Sequence, residues 1–203
     1  MMPGEVDFVN HMRRLNIRLT DRVVCYETGD WQIFSFRVVW MLRAMGHTNA
    51  QILDGGYPKW VKEGKPIVTD DTIKDEDYNY KMNPEFVKSF EWVKQYEANQ
   101  GANELLVDAR REEGFKAGHI KNAVSFPFSK VIDPETKTVK SAEERKAAFA
   151  EAGIDLNKDI TTTCQAGIVS TVVFLALHDI AQGKLSMYDG SWTEYAQRSK
   201  EES

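Results

Sequence analysis

Two stretches of this chain follow one plan, and that repeat constrains the fold more than any other feature. "DRVVCYETGD…FRVVWMLRAMG…QILDGGYPKWVKEG", from Asp21, lies beside "DITTTCQAG…STVVFLALHDIAQG…SMYDGSWTEYAQRS", from Asp159. In each, an Asp opens a β-branched or aromatic run, a loop follows, and an apolar helical pattern stops at Gly46 or Gly183. A second short run then ends in Asp-Gly-Gly or Asp-Gly-Ser, and an aromatic-bearing helix comes next. Strand and helix alternating in this way predict parallel α/β layers. The expected fold class is α/β, with two related domains, each a mainly parallel sheet flanked by helices.

The remaining segments fit that frame. Residues 7–15 read as a short helix, and 21–27 as a buried strand. Pro58 sits in the first turn of the predicted helix that follows Gly56. Between Lys65 and Lys81 the composition turns acidic and loses its period, as in a crossing segment. The expected division is a first domain over residues 1–66, a linker over 67–82 and a second domain over 83–203. In the second, residues 83–100 read as one helix, with Asn83 as cap and Pro84 at its first position. "ELLVDAR" reads as a strand, and the stretch from Arg111 through "AGHIKNAV" as a loop leading to a short extended piece. A helix follows with a capping box from Ser141 to Glu144 and a stop at Gly153.

The two copies are unequal. The second has a long section, Asn83 to Leu156, before its cysteine-bearing strand; the first has only a short one. The first domain is thus expected to be incomplete, lacking its opening strand and part of its sheet. Bare strand edge and uncovered core are costly in water. A protein partner covering the gap is therefore expected, unless the sequence is itself shortened.

Composition narrows the function. The formal net charge of −5 over 203 residues gives no basic surface for phosphate backbones, so no nucleic-acid partner is expected. No apolar run approaches the roughly 18–20 residues of a membrane-spanning helix, and the N-terminal stretch reads as neither secretory signal nor transit peptide. Cys25 and Cys164 form no CxxC pattern, so neither a disulfide framework nor a metal site is expected, and no cofactor is implied. Both thiols are expected to be reduced.

Cys164 stands where a β-branched strand gives way to an apolar helix. A strand–loop–helix turn gathers backbone N–H groups about one point, and the helix dipole adds to their attraction for an anion. A sulfur there is held as thiolate more readily than in water. Gly167 lets the loop bend, and Ser170 or Thr171 is placed to cap the helix. A buried free cysteine can equally be a small hydrophobe, and spacing alone leaves both readings open. Cys25, inside an apolar strand with no glycine loop after it, reads as structural; its counterpart to Cys164 falls near Tyr26 or Glu27. His119 reads as a turn-stabilising hydrogen-bonder, His178 as a helix residue, and Trp60 and Trp192 as matching core anchors. Arg111, Glu112 and Glu113 are candidates for the rim of the site.

"FRVVWMLRAMGH", "ILDGGYPKWVKEG", "VDAR", "AGHIKNAVSFPF", "TCQAGIVS" and "YDGSWTEY", in this order, resemble the two-domain rhodanese-type sulfurtransferases, the thiosulfate and 3-mercaptopyruvate sulfurtransferases. The resemblance spans nearly the whole chain. It implies an inactive first domain and a second carrying a persulfide cysteine, which by motif position is Cys164. It implies substrate-binding roles for Arg110 and for the loop residues Gln165, Ala166, Gly167, Ile168, Val169 and Ser170. Arg110, ending "VDAR", has the fork that suits a carboxylate or sulfonate. The implied partners are a small sulfur-donor substrate and a thiol or cyanide acceptor. Family habit suggests the mitochondrial matrix ahead of the cytoplasm.

The chain also departs from the family pattern. It begins after a segment that in full-length members carries a His and an Asp active in mercaptopyruvate chemistry. Ala166 stands where Ser or a basic residue is common, Val169 replaces a hydroxyl residue, and an arginine-containing insertion before "GHI" is shortened. Two rival readings remain. Phosphoryl transfer, as in phosphatases that share the fold, lacks its arginine: the position six beyond Cys164 is Ser170. A non-catalytic structural subunit of a larger complex accounts for the short first domain.

Overall fold

The computed structural model describes residues 2–29, 33–67, 80–99 and 104–201. The chain divides into two compact units, residues 2–83 and 84–203. Most of the expected linker lies outside the described residues. Its end, residues 80–82, belongs with Asn83 to the first unit, where Tyr80 is buried edge-on against Phe8 at 5.2 Å.

The first unit opens with helix α1 (Glu5–Arg14), which presses Phe8 and Met12 inward. Strand β1 (Val23–Cys25) pairs in parallel with β2 (Ala50–Ile52), Val23 opposite Ala50. Between them runs α2 (Ile33–Ala44), with Phe36, Val39, Trp40 and Leu42 buried. Gly46, at φ 89°, ends that run in the left-handed region, as its sequence position predicts. His47 is buried behind the turn, donating from Nε2 to the Asp21 carbonyl (2.9 Å), and burial holds its basicity below the ordinary imidazole value. Helix α3 (Gly56–Lys62) closes the unit. The expectation of a buried β1 fails: its residues alternate between half-buried and exposed, because among the described residues β2 is its one sheet neighbour.

The second unit carries a five-stranded parallel sheet of β3 (Val87–Lys88), β4 (Glu104–Asp108), β5 (Val124–Ser125), β6 (Asp159–Thr163) and β7 (Leu185–Tyr188), in the order β3-β7-β6-β4-β5. The segment expected as one helix from Asn83 is three elements: a 3-10 turn (Pro84–Phe86), strand β3 (Val87–Lys88) and helix α4 (Phe90–Asn99). Two local choices break the helix. Val87 pairs with the sheet, and the Ser89 hydroxyl accepts from the Trp92 amide (3.3 Å), restarting the helix one residue later. Strand β4 (Glu104–Asp108) leads to a second correction, since the expected loop contains helix α5 (Glu112–Ala117) before strand β5 (Val124–Ser125). Glu112 and Glu113 at its N-terminus and Lys116 near its end suit the helix dipole.

Helix α6 (Ala142–Glu151) has its capping box: the Ser141 hydroxyl accepts from the Glu144 amide, and the Glu144 carboxylate accepts from the Ser141 amide. Strand β6 (Asp159–Thr163) runs up the middle of the sheet, in register with β4 from Glu104↔Asp159 to Asp108↔Thr163. Helix α7 (Ser170–Leu177) is almost wholly buried, which accounts for its unbroken apolar sequence. It ends at Leu177, earlier than the sequence pattern suggests, and His178 is exposed beyond it. Strand β7 (Leu185–Tyr188) and helix α8 (Ser191–Glu201) complete the unit. One face of the sheet is covered by α4 and α8: Phe90, Val93 and Tyr96 form a core with Leu106, Ile120 and Tyr188, and Trp192 and Tyr195 pack against it.

Candidate active site

The chain passes from β4 outward to β5, then returns to lay β6 on β4's other side. Such a reversal leaves a crevice at the carboxyl ends of the two strands, where ligands of parallel α/β sheets bind. The sequence places Asp108, Arg110 and Cys164 at those ends. The ladder continues just past the strands, with the Ala109 amide donating to the Thr163 carbonyl (2.8 Å).

Cys164 is 1% exposed and begins the loop that enters α7. Its backbone is tied down on both sides. The Cys164 amide donates to the Ser191 hydroxyl (3.3 Å), which donates to the Tyr188 carbonyl (3.1 Å). The Cys164 carbonyl accepts from the Trp192 amide (3.0 Å), and the Gln165 carbonyl from the Thr193 amide (3.0 Å) and hydroxyl (2.7 Å). The start of α8 is therefore the bed on which the cysteine loop lies. Gly167, at φ 74°, turns the loop where a side chain would be strained. Ala166 is exposed, and Ile168 and Val169 are half-buried.

Neither expected cap forms. The Ser170 hydroxyl turns into the core toward the Met187 sulfur (3.1 Å), and Thr171 donates its hydroxyl back to the Ile168 carbonyl (2.6 Å). Both are wholly buried under the sheet, so α7, with Val169 at its N-cap, begins without a side-chain acceptor. Ser170 therefore reaches the site through its main chain only.

Arg110 lies two residues beyond the end of β4 and is 7% exposed. Its Nη2 and Nε donate to the Asp108 carboxylate (2.7 and 3.0 Å), and Nη2 also donates to the Gly118 carbonyl (2.7 Å). Nη1 points across to the Gln165 amide oxygen (3.4 Å), bringing the guanidinium to the cysteine loop. The plane rests on the Trp192 ring at 5.0 Å, a cation–π contact. Trp192 is thus a half-buried wall of the site that also packs against the core, in keeping with the anchor expected from sequence; Trp60 is half-buried, its indole N–H donating to the Pro66 carbonyl (3.0 Å). Arg111 occupies the N-cap position of α5 without a side-chain capping bond, and the Glu112 side chain pairs with Lys116 (3.1 Å). His119 receives the turn role expected of it, bonded to the Phe115 carbonyl (3.0 Å) and stacked on its ring.

Asp108, Ser191 and Thr193 were not singled out from sequence. Asp108 had a visible signal, an acid two residues before an arginine at a strand end. Ser191 has none in the sequence: that it takes φ 55°, where the first unit has Gly56 at φ 58°, shows only in the fold. The repeat is now fixed residue by residue. The Tyr57 amide donates to the Glu27 carbonyl (3.0 Å), as Trp192 does to Cys164. Glu27 is therefore the counterpart of Cys164, and Tyr57, rather than Trp60, that of Trp192. The Glu27 carboxylate accepts from the Ser35 amide (2.6 Å) and hydroxyl (2.9 Å) at the start of α2. Cys25, farther down its strand, is half-buried, and burial pushes its thiol pKa up.

Cys164 at the switch point of a parallel sheet, beside the Arg110 guanidinium and with Glu27 at the matching position of the first unit, marks the candidate active site of a double α/β chain. The model of the rhodanese-like domain matches residues 5–63 and 89–198, and the chain belongs to that family. It is 33% identical to thiosulfate sulfurtransferase of Gallus gallus over 210 residues, spanning 98% of this chain and 71% of that protein. It is 30% identical to 3-mercaptopyruvate sulfurtransferase of Homo sapiens over 215 residues, spanning 100% of this chain and 71% of that protein. Among solved structures, SseA from Escherichia coli, described as a 3-mercaptopyruvate sulfotransferase, superposes with a TM-score of 0.81 at 27% identity, covering 95% of this chain and 74% of its own.

Proposed function

We propose that the protein is a sulfurtransferase that carries sulfane sulfur on Cys164. The observation that carries this reading is the cysteine's place, at the carboxyl end of a central strand on a loop tied to α8 and reached by Arg110. In the first half-reaction the Cys164 thiolate attacks the sulfur to be transferred, the outer sulfur of thiosulfate or the thiol sulfur of 3-mercaptopyruvate. A sulfur–sulfur bond forms, and the donor's bond to that sulfur breaks with its electron pair. Sulfite leaves from thiosulfate; the enolate of pyruvate, then protonated, leaves from 3-mercaptopyruvate. In the second, a thiolate or cyanide attacks the outer sulfur of the persulfide and returns Cys164 as thiolate. Arg110 orients the donor's anionic group, and the main chain from Gln165 to Ser170 faces the charge on sulfur.

The relatives are sulfurtransferases, which favours this reading over a non-catalytic subunit. Two free cysteines suit a reducing compartment, and the mitochondrial matrix is the proposed setting. The test is intact-mass measurement after incubation with thiosulfate or 3-mercaptopyruvate. A gain of one sulfur, lost in Cys164→Ser and discharged by cyanide, is expected. An unmodified Cys164 with both donors would sink the reading.

A further inference from the structure

The proposed sulfur transfer takes its grip on the donor from Arg110, whose hydrogen bonds leave little of the guanidinium to give. Nε–H is spent on the Asp108 carboxylate, and the two N–H groups of Nη2 on Asp108 and the Gly118 carbonyl (both 2.7 Å). The Trp192 ring covers one face at 5.0 Å. Nη1 is the nitrogen left for a ligand, so a donor meets Arg110 through a single atom and not through the two-nitrogen fork expected from sequence. That atom already has an acceptor. The exposed Gln165 side chain sets its amide oxygen on Nη1 at 3.4 Å. Both neighbours fix the sense of the amide. Arg110 can only donate, and the Thr193 hydroxyl gives its one proton to the Gln165 carbonyl (2.7 Å), leaving its oxygen to accept from Gln165 Nε2 (3.3 Å). The amide oxygen therefore sits where an anionic oxygen of the donor would bind. The loop does not depend on this contact. The Gln165 carbonyl is also held by the Thr193 amide (3.0 Å), and the Cys164 carbonyl by the Trp192 amide (3.0 Å). The side chain can swing into water while the main chain stays.

We infer that the Gln165 amide is a built-in competitor for the donor's anionic group, and so sets how tightly this site holds anions. It rests on Nη1 when the site is empty, yields to the donor, and returns as the desulfurated anion leaves. This rests on the sulfurtransferase reading and adds to it a barrier to entry that the chain itself imposes. An internal competitor weakens every anion that uses Nη1 by one common factor, set by the fraction of time the seat is free. A side chain that gripped the donor would act in the opposite sense. One that only shaped the loop would change the rate of sulfur transfer without moving the affinities of two different anions together.

Persulfide formation on the full chain is followed by intact mass at rising concentrations of thiosulfate or 3-mercaptopyruvate, whichever charges Cys164. The series is run with and without pyruvate, an anion that has a carboxylate and no sulfur to give. In Gln165→Ala, and in Gln165→Asn, whose shorter amide stops short of Arg110, the half-saturating donor concentration is expected to fall about threefold or more. The inhibition constant of pyruvate is expected to fall by the same factor. Gln165→Glu sets a charged oxygen on Nη1 and is expected to raise both constants. The side chain is exposed, and circular dichroism checks that each variant folds. Donor and pyruvate binding that is unchanged or weaker in Gln165→Ala and Gln165→Asn overturns the inference, as does a fall in one constant without the other. When the parent chain gains sulfur, those outcomes count against the competitor alone. A parent that gains none with either donor overturns the sulfurtransferase reading and the competitor with it.

Discussion

Arg110 and Asp108 form the most enclosed ion pair at the site, at 2.7 Å with both side chains under a tenth exposed. Removing the acid leaves a buried guanidinium without its counter-charge, so Asp108→Ala is expected to cost about 3 kcal/mol in urea unfolding. Ser191 is a different case. A non-glycine residue at φ 55° carries strain that its two hydrogen bonds offset. Ser191→Gly removes both strain and bonds, and stability is expected to stay within about 1 kcal/mol of the parent. Persulfide formation should nonetheless slow by about tenfold, because the Cys164 amide loses its anchor. Unchanged kinetics in that variant would mean that α8 holds the loop through Trp192 and Thr193 alone.

The clasp between α4 and α8 has a pH window on each side. Hydrogen bonding to Arg198 holds the Glu91 carboxyl down at about 2. A depressed acid stabilises the fold above its unfolded value, and the contribution fades as pH falls from about 4.5 toward 2. Glu91 is exposed, so the effect should shrink in high salt. Tyr195 is pushed up to about 12, first by burial and then by its bond to Glu97. Its contribution is complete below pH 10 and fades between about 10 and 12, where the unfolded phenol ionises first. Circular dichroism melts across both ranges should show a lower Tm at each extreme, and Tyr195→Phe should flatten the alkaline limb. Elements with a long period or a full cap, such as α2 and α6, were legible in the sequence. The stretch from Asn83 was not, because the two-residue pairing of Val87 and Lys88 with β7 is a tertiary choice that no local pattern encodes. Helix α5 was obscured by the glycine in its middle, Gly114. At the site, the family resemblance points to Cys164 and Arg110 as candidates; nothing local points to Ser191, since only the fold shows which backbone amide its hydroxyl meets.

The chain holds one thiol in each unit, and neither is in a disulfide. Cys25 lies in a two-stranded sheet, while Cys164 follows a strand paired on both sides. The molecule therefore carries its own pair of internal reporters for unfolding. A thiol reagent added along a urea gradient would count them separately, with Cys164→Ser and Cys25→Ala assigning the signals. The Cys25 signal should rise at lower urea, and the interval between the two midpoints measures how far one half of the protein can come apart while the other persists.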